Sequence, residues 1–211
     1  MRTHRGTVKN RARIRRKRRV DSRRCILSGI SVVAALLLVG PTLSQARPAS
    51  RGPYAEIGLG AAGFLGDKAV YAAAGPAVDL RAGYDLFPWM SLGVKLGGST
   101  HEATVPPPPE GEYFQLYGLA AEIRFQVRQG RIGFFLDGEL GTTAISSNVL
   151  AKVEVLGPGE DRTLSFGVGG GLEYQLLNRH HAFGLAGQWT RLVDFGTLSN
   201  IGGRFYLRYT Y

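Results

Sequence analysis

The sequence contains a single cysteine, Cys25, which lies within the first 46 residues. From Arg47 to Tyr211 there is no thiol, so this part of the chain has neither a disulfide framework nor a cysteine nucleophile. It also lacks any segment of helical periodicity that is long enough to cover a sheet. These absences favour an all-β fold that is held together without covalent cross-links.

Residues 47–211 also lack an excess of positive charge. The first 24 residues contain 12 of the 26 Lys and Arg residues and one acidic residue, Asp21. From Arg47 onward, 14 basic residues face 15 acidic ones. A nucleic-acid-binding domain needs a basic surface. The charge distribution therefore excludes nucleic acid as a partner of residues 47–211.

The basic N-terminal segment has the features of an export signal. It is followed by an apolar core, Cys25 to Gly40, and by small residues at Ser44 and Ala46. This order predicts a signal peptide over residues 1–46, with a long basic n-region and cleavage before Arg47. An uncleaved anchor is the alternative, but the apolar run is shorter than the roughly 20 residues that span a bilayer.

The C-terminal stretch, residues 201–211, shows strict two-residue alternation. Apolar and small residues occupy one face, and Arg204, Tyr206, Arg208 and Thr210 occupy the other. This is the pattern of a β-strand with two different faces. The strand stays aromatic up to Tyr211, which predicts an apolar environment outside it.

The same alternation recurs from Tyr54 onward and predicts about eight strands. The third is expected from Met90 to Gly97, followed by a loop over 98–111 with four consecutive prolines, and a turn is expected over 128–131. Long and short connections alternate, as in an up-and-down barrel whose rims face different compartments. We therefore predict a closed antiparallel transmembrane β-barrel over residues 47–211.

The charged residues of the predicted strands share one face. The opposite face holds almost only aliphatic residues, aromatic residues and glycine, so we expect it to contact lipid. The lumen of an eight-stranded barrel has room only for side chains, and its charges should be mutually paired. The predicted lumen network consists of Asp79, Arg81, Asp85, Lys95, Glu122, Arg124, Asp137, Glu139, Glu173, Arg204 and Arg208. We expect Arg204 and Arg208 to point toward Glu122 and Asp137.

Aromatic residues are predicted to cluster at the rim with the short turns, where they would meet the lipid headgroups. These residues are Tyr84, Phe87, Trp89, Phe125, Phe134, Tyr174, Tyr209 and Tyr211.

In pattern, the chain resembles the small eight-stranded outer-membrane barrels of the OmpA/OmpX type. The resemblance is most specific in the C-terminal assembly signal, which comprises Gly203, Phe205, Leu207, Tyr209 and Tyr211. It differs from the family in ending on Tyr where Phe is commoner. The resemblance implies a Gram-negative outer membrane, with surrounding lipid and lipopolysaccharide. It also implies insertion by the barrel assembly machinery and a monomeric state, but no single activity.

Three functions remain open at this stage. The first is a non-enzymatic barrel of structural, adhesive or envelope-interaction type, with a plugged lumen and long extracellular loops. The second is a lipid-modifying enzyme that uses Ser99, His101 and Glu102, which lie together at the start of the proline-containing loop. The third is a narrow pore or small-molecule conduit. We expect no catalytic site and no cofactor. We also expect no metal site, because no third potential ligand lies at a suitable sequence spacing from His180 and His181.

Overall fold

The computed structural model describes residues 51–104, 112–146, 157, 161–195 and 198–211. The predicted signal peptide, residues 1–46, and the four prolines, residues 106–109, lie outside these ranges. So does most of the polar loop predicted between strands five and six.

Within the described ranges, eight antiparallel strands form a closed barrel in which each strand pairs with its sequence neighbours and β8 closes onto β1. The strands are β1 (Gly52–Leu65), β2 (Gly75–Phe87), β3 (Met90–Glu102), β4 (Tyr113–Gln129), β5 (Ile132–Ile145), β6 (Arg162–Gln175), β7 (His181–Leu192) and β8 (Ser199–Thr210). A short 3₁₀ helix, Asp67–Tyr71, lies between β1 and β2. The predicted closed antiparallel barrel is confirmed.

Among the residues described, no helix is both long enough and apolar enough to cross a bilayer.

The two faces of the barrel differ as the alternation predicts. Outward-facing leucines such as Leu59, Leu136 and Leu185 are more than 60% exposed. Their inward-facing neighbours include buried charged residues such as Glu56 and Arg124. An outer surface of exposed aliphatic side chains around a charged interior is the reverse of a water-soluble domain, and it suits a barrel whose outer surface contacts lipid.

Two strands extend into stretches that were predicted to be a loop and a turn. β3 continues through Glu102, five residues beyond its predicted end, because residues 98–102 keep pairing with β4. β4 continues through Gln129, so the turn before β5 is shorter than predicted. In both places polar residues extend an ordered strand, whereas the prediction had placed loops there.

The end of the lumen on the long-loop side is filled by buried apolar side chains, which we call the apolar cap. Phe64, Phe114, Leu116 and Ile145 come from the inner faces of strands, and Phe195 follows β7. The complete cap comprises Phe64, Ala72, Ala103, Phe114, Leu116, Ile145, Leu192, Phe195 and Leu198. The lumen therefore changes from charged to apolar along its length.

An outward-facing arginine near the middle of a strand tests which face meets lipid. We expect Leu59→Arg to lower the free energy of unfolding in bilayers by about 2–4 kcal/mol, since Leu59 is 63% exposed at the centre of β1. Urea titration followed by tryptophan fluorescence measures the change. Tyr113→Arg is the matched control, because Tyr113 is 59% exposed but begins β4. Its cost should be about 0–1 kcal/mol, and equal costs at both positions would contradict this orientation.

Candidate functional site in the barrel lumen

The charged lumen is assembled by strand register. Glu56 of β1 lies opposite Arg81 of β2 and also opposite Arg208 of β8. On the other side of the barrel, Arg124 of β4 lies opposite Asp137 of β5. Because side chains of one parity all point toward the barrel axis, charges from distant strands meet there.

Two arginines form the centre of the network. Arg124 is fully buried and donates to both carboxylate oxygens of Glu56, at 2.9 and 3.3 Å, while its Nη2 lies 3.2 Å from Glu122. Arg81 donates from Nε to Asp79 at 2.7 Å and from Nη1 to Glu122. A third contact joins Arg81 Nη2 to Glu139 at 3.1 Å. Each central cation thus contacts several carboxylates, as buried charges require.

Two glycines make room for this crowding. A Cβ on Gly58 would lie 2.1 Å from Asp79 Oδ1, and a Cβ on Gly169 would lie 2.2 Å from Asp137 Oδ1. No side chain fits at either position without moving a carboxylate, so glycine opposite these acids is a packing requirement.

The network continues toward the short-turn rim. Arg208 donates to Asp85, which also accepts a hydrogen bond of 2.6 Å from the Ser91 hydroxyl. The Arg208 guanidinium stacks 3.8 Å above the ring of Tyr54. The Tyr206 hydroxyl donates to Glu173 at 3.2 Å.

Toward the apolar cap, the network ends in one bridged ion pair. Lys95 Nζ lies 2.9 Å from Glu139, and Gln188 links the two, since its Oε1 accepts from Lys95 at 2.8 Å and its Nε2 donates to Glu139.

Every residue of the predicted lumen network points inward, but the partners of the two β8 arginines differ from the expected ones. Arg204 contacts Glu56 at 3.2 Å and Asp79 at 3.5 Å, and Asp137 only at 4.0 Å. Arg208 contacts Asp85 and lies 3.9 Å from Glu56. Neither forms an ion pair with Glu122, whose carboxylate is held by Arg81 and Arg124.

Three members of the network were not predicted from the sequence. Glu56 accepts from Arg124 and Arg204, Arg128 pairs with Glu173, and Gln188 bridges Lys95 and Glu139. The signal was present, because each of them shares the inward parity of its strand. Arg128 was assigned to a turn because β4 was predicted two residues too short.

The C-terminal segment closes the barrel. Phe205 and Leu207 face outward and pair with Leu59 and Ile57 of β1. Tyr211 follows β8, donates its backbone N–H to the Pro53 carbonyl at 3.0 Å, and meets the Tyr209 ring edge to face at 4.7 Å. Outward-facing aromatic residues gather at this rim. For example, the Trp89 ring stacks on Phe87 and on Phe125.

The three residues of the possible catalytic set do not converge. Ser99 and His101 face the lumen, and Ser99 Oγ lies 2.8 Å from His101 Nε2. His101 is completely buried, its Nδ1 lies 3.0 Å from the Ala73 carbonyl, and its ring packs against Phe64 of the cap. Glu102 has the opposite parity and is exposed.

His180 in the β6–β7 connection and His181 at the start of β7 have separate hydrogen-bonding partners. His180 Nδ1 lies 2.8 Å from the Thr210 carbonyl oxygen, and His181 Nδ1 lies 2.8 Å from the Asn178 side-chain amide. Within the described part of the chain, no group of three or more His, Cys, Asp or Glu side chains is arranged to hold a metal ion.

This geometry agrees with the comparison to protein families. The family described as the outer membrane protein beta-barrel domain matches residues 32–207. The chain belongs to this family. Membership of the outer membrane protein beta-barrel family implies a location in the bacterial outer membrane.

Solved structures show the same fold at low sequence identity. Neisserial surface protein A is similar with a TM-score of 0.57 and 16% identity, over 76% of this chain and 97% of that one. The outer membrane protein OprG from Pseudomonas aeruginosa is similar with a TM-score of 0.53 and 10% identity, over 78% and 98%. No curated protein matches this chain in sequence.

Proposed function

We propose that this protein is a non-conducting outer-membrane barrel of structural, adhesive or envelope-interaction type. It works through its outer surface and its long-loop rim, as a monomer surrounded by lipid and lipopolysaccharide, and it needs no cofactor. The observation that supports this proposal is the filled lumen, in which the side chains of Arg81, Arg124 and Glu56 are at most 1% exposed.

The energetics of the network favour a permanent plug over a channel. A continuous water-filled path through the lumen would require the ion pairs between the central arginines and their carboxylates to separate. This separation would take place in a space of low dielectric constant. Separating one partner of a buried ion pair costs several kcal/mol. A lumen closed by several shared pairs should therefore stay closed at rest.

A lipid-modifying activity is less well supported. The contact between Ser99 and His101 resembles a nucleophile with its base. However, the third member of such a set should orient the base, and here His101 Nδ1 faces a backbone carbonyl instead of Glu102. Both residues also face the lumen, away from the lipid that would be the substrate. We propose that they connect the cap to β3 and catalyse no reaction.

Planar-bilayer recording tests the plugged lumen. We expect the purified, heat-modifiable protein to insert without discrete conductance steps, in membranes where a general porin gives regular steps. Heat-modifiable migration on gels shows that the silent sample is folded. Reproducible unitary steps from the wild-type protein would contradict the proposal and favour a conduit.

A further inference from the structure

The lumen contains a cavity of about 150 Å³ between the charge network and the apolar cap. Lys95, Glu139 and Arg204 of the network lie on one side of it, and Leu116 and Leu192 of the cap lie on the other. It occupies the part of the barrel nearer the long-loop rim. The network separates this cavity from the short-turn rim, so it forms a blind chamber.

Uncharged hydrogen-bonding groups line parts of the chamber, among alanine, glycine and leucine residues that make most of its exposed lining apolar. They include Ser99, Thr143, Ser165, Thr190 and Asn200. Thr143 donates to Ser165 at 3.1 Å, which leaves the hydroxyl proton of Ser165 and further lone pairs for another partner. A cavity of this size that contains several such groups can hold a molecule that donates and accepts hydrogen bonds.

The charges at the chamber floor already have opposite partners. Lys95 lies 2.9 Å from Glu139, and Arg204 lies 3.2 Å from Glu56. An ionic ligand would have to displace one of these pairs or remain unpaired in the lumen, and both alternatives are unfavourable. The chamber therefore favours a ligand that forms hydrogen bonds but has no net charge.

The volume limits the size of that ligand. An apolar protein cavity of roughly 150 Å³ accommodates benzene, which has six carbon atoms. A chamber of the same volume, lined by both hydroxyl groups and carbon atoms, suits a molecule with about six non-hydrogen atoms that combines a carbon chain with several hydroxyl groups. We propose that the chamber is a binding site for a small neutral polyhydroxyl compound of the size of glycerol.

Ligand-observed NMR with glycerol tests the site on protein purified from outer membranes in glycerol-free detergent. We expect saturable binding with a dissociation constant in roughly the millimolar range. Gly118→Leu should weaken it by about tenfold or more, because Gly118 lines the chamber and has no atom closer than 3.8 Å to an added Cβ. Gly138→Leu, at an outward-facing position, is the matched control and should bind as the wild type does. Non-saturable binding, or equal binding by both variants, would overturn the proposal.

Discussion

Replacing Arg124 by Met is expected to lower the free energy of unfolding by about 3–5 kcal/mol. Arg124 is completely buried and holds Glu56 at 2.9 Å and Glu122 at 3.2 Å. Met has a similar length but no charge, so the substitution leaves these carboxylates facing one another without their shared cation. The loss comes mainly from the stranded negative charge and only secondarily from packing.

Urea titration in detergent or bilayers, followed by the fluorescence of Trp89 and Trp189, measures this loss. The matched control is Arg131→Met in the exposed turn before β5, where, among the described residues, the guanidinium donates only to the Tyr174 hydroxyl at 3.3 Å. Its effect should stay within about 0.5 kcal/mol. A similar small effect at Arg124 would mean that the network does not contribute to stability.

A double substitution separates charge from packing. If stranded charge is the cause, adding Glu56→Gln to Arg124→Met should recover part of the lost stability, because Glu56 then needs no cation. The interaction free energy between these contacting residues should fall within about 0.5–3 kcal/mol. Purely additive losses would instead attribute the effect of Arg124 to packing alone.

The sequence was sufficient to predict which side chains face the lumen and which face lipid, because both sets follow from the two-residue periodicity of the strands. Asp79, Arg81 and Glu122 were placed in the lumen solely by their parity along the strands. Parity does not determine which charges meet across the lumen, since that depends on strand tilt and register. Arg204 was therefore placed in the lumen as expected, whereas its nearest partners are Glu56 and Asp79.

The apolar cap was missed for a related reason. Phe114 and Leu116 have the inward parity of β4, but an inward apolar residue contradicts a simple pattern of polar interior and apolar exterior. The inward apolar residues are concentrated near the rim, where described segments of three connections, around Ala72, Ala103 and Phe195, pack against the strands. Such contacts between residues far apart in sequence leave no periodic signal, so the chamber beneath the cap could not be predicted either.

The terminal aromatic residue should matter more for assembly than for stability. We propose that the barrel assembly machinery recognises the C-terminal segment, which ends on Tyr211. In cells, Tyr211→Ala should reduce the amount of heat-modifiable protein in the outer membrane severalfold. The same variant refolded in detergent should lose only about 1 kcal/mol, since the side chain is 67% exposed and, within the described part of the chain, its one aromatic contact is with Tyr209. Its backbone bond to Pro53 does not involve the side chain.

Tyr84→Ala distinguishes recognition from a general need for aromatic residues. Tyr84 faces outward near the same rim and is 49% exposed, so its removal should cost a similar amount of stability. It lies outside the C-terminal segment and should leave the amount of assembled protein nearly unchanged. Quantitative immunoblots of unheated membrane samples compare the two variants. Equal losses for both would assign Tyr211 to the headgroup-facing aromatic belt, and a large loss of refolded stability for Tyr211→Ala alone would make its role structural.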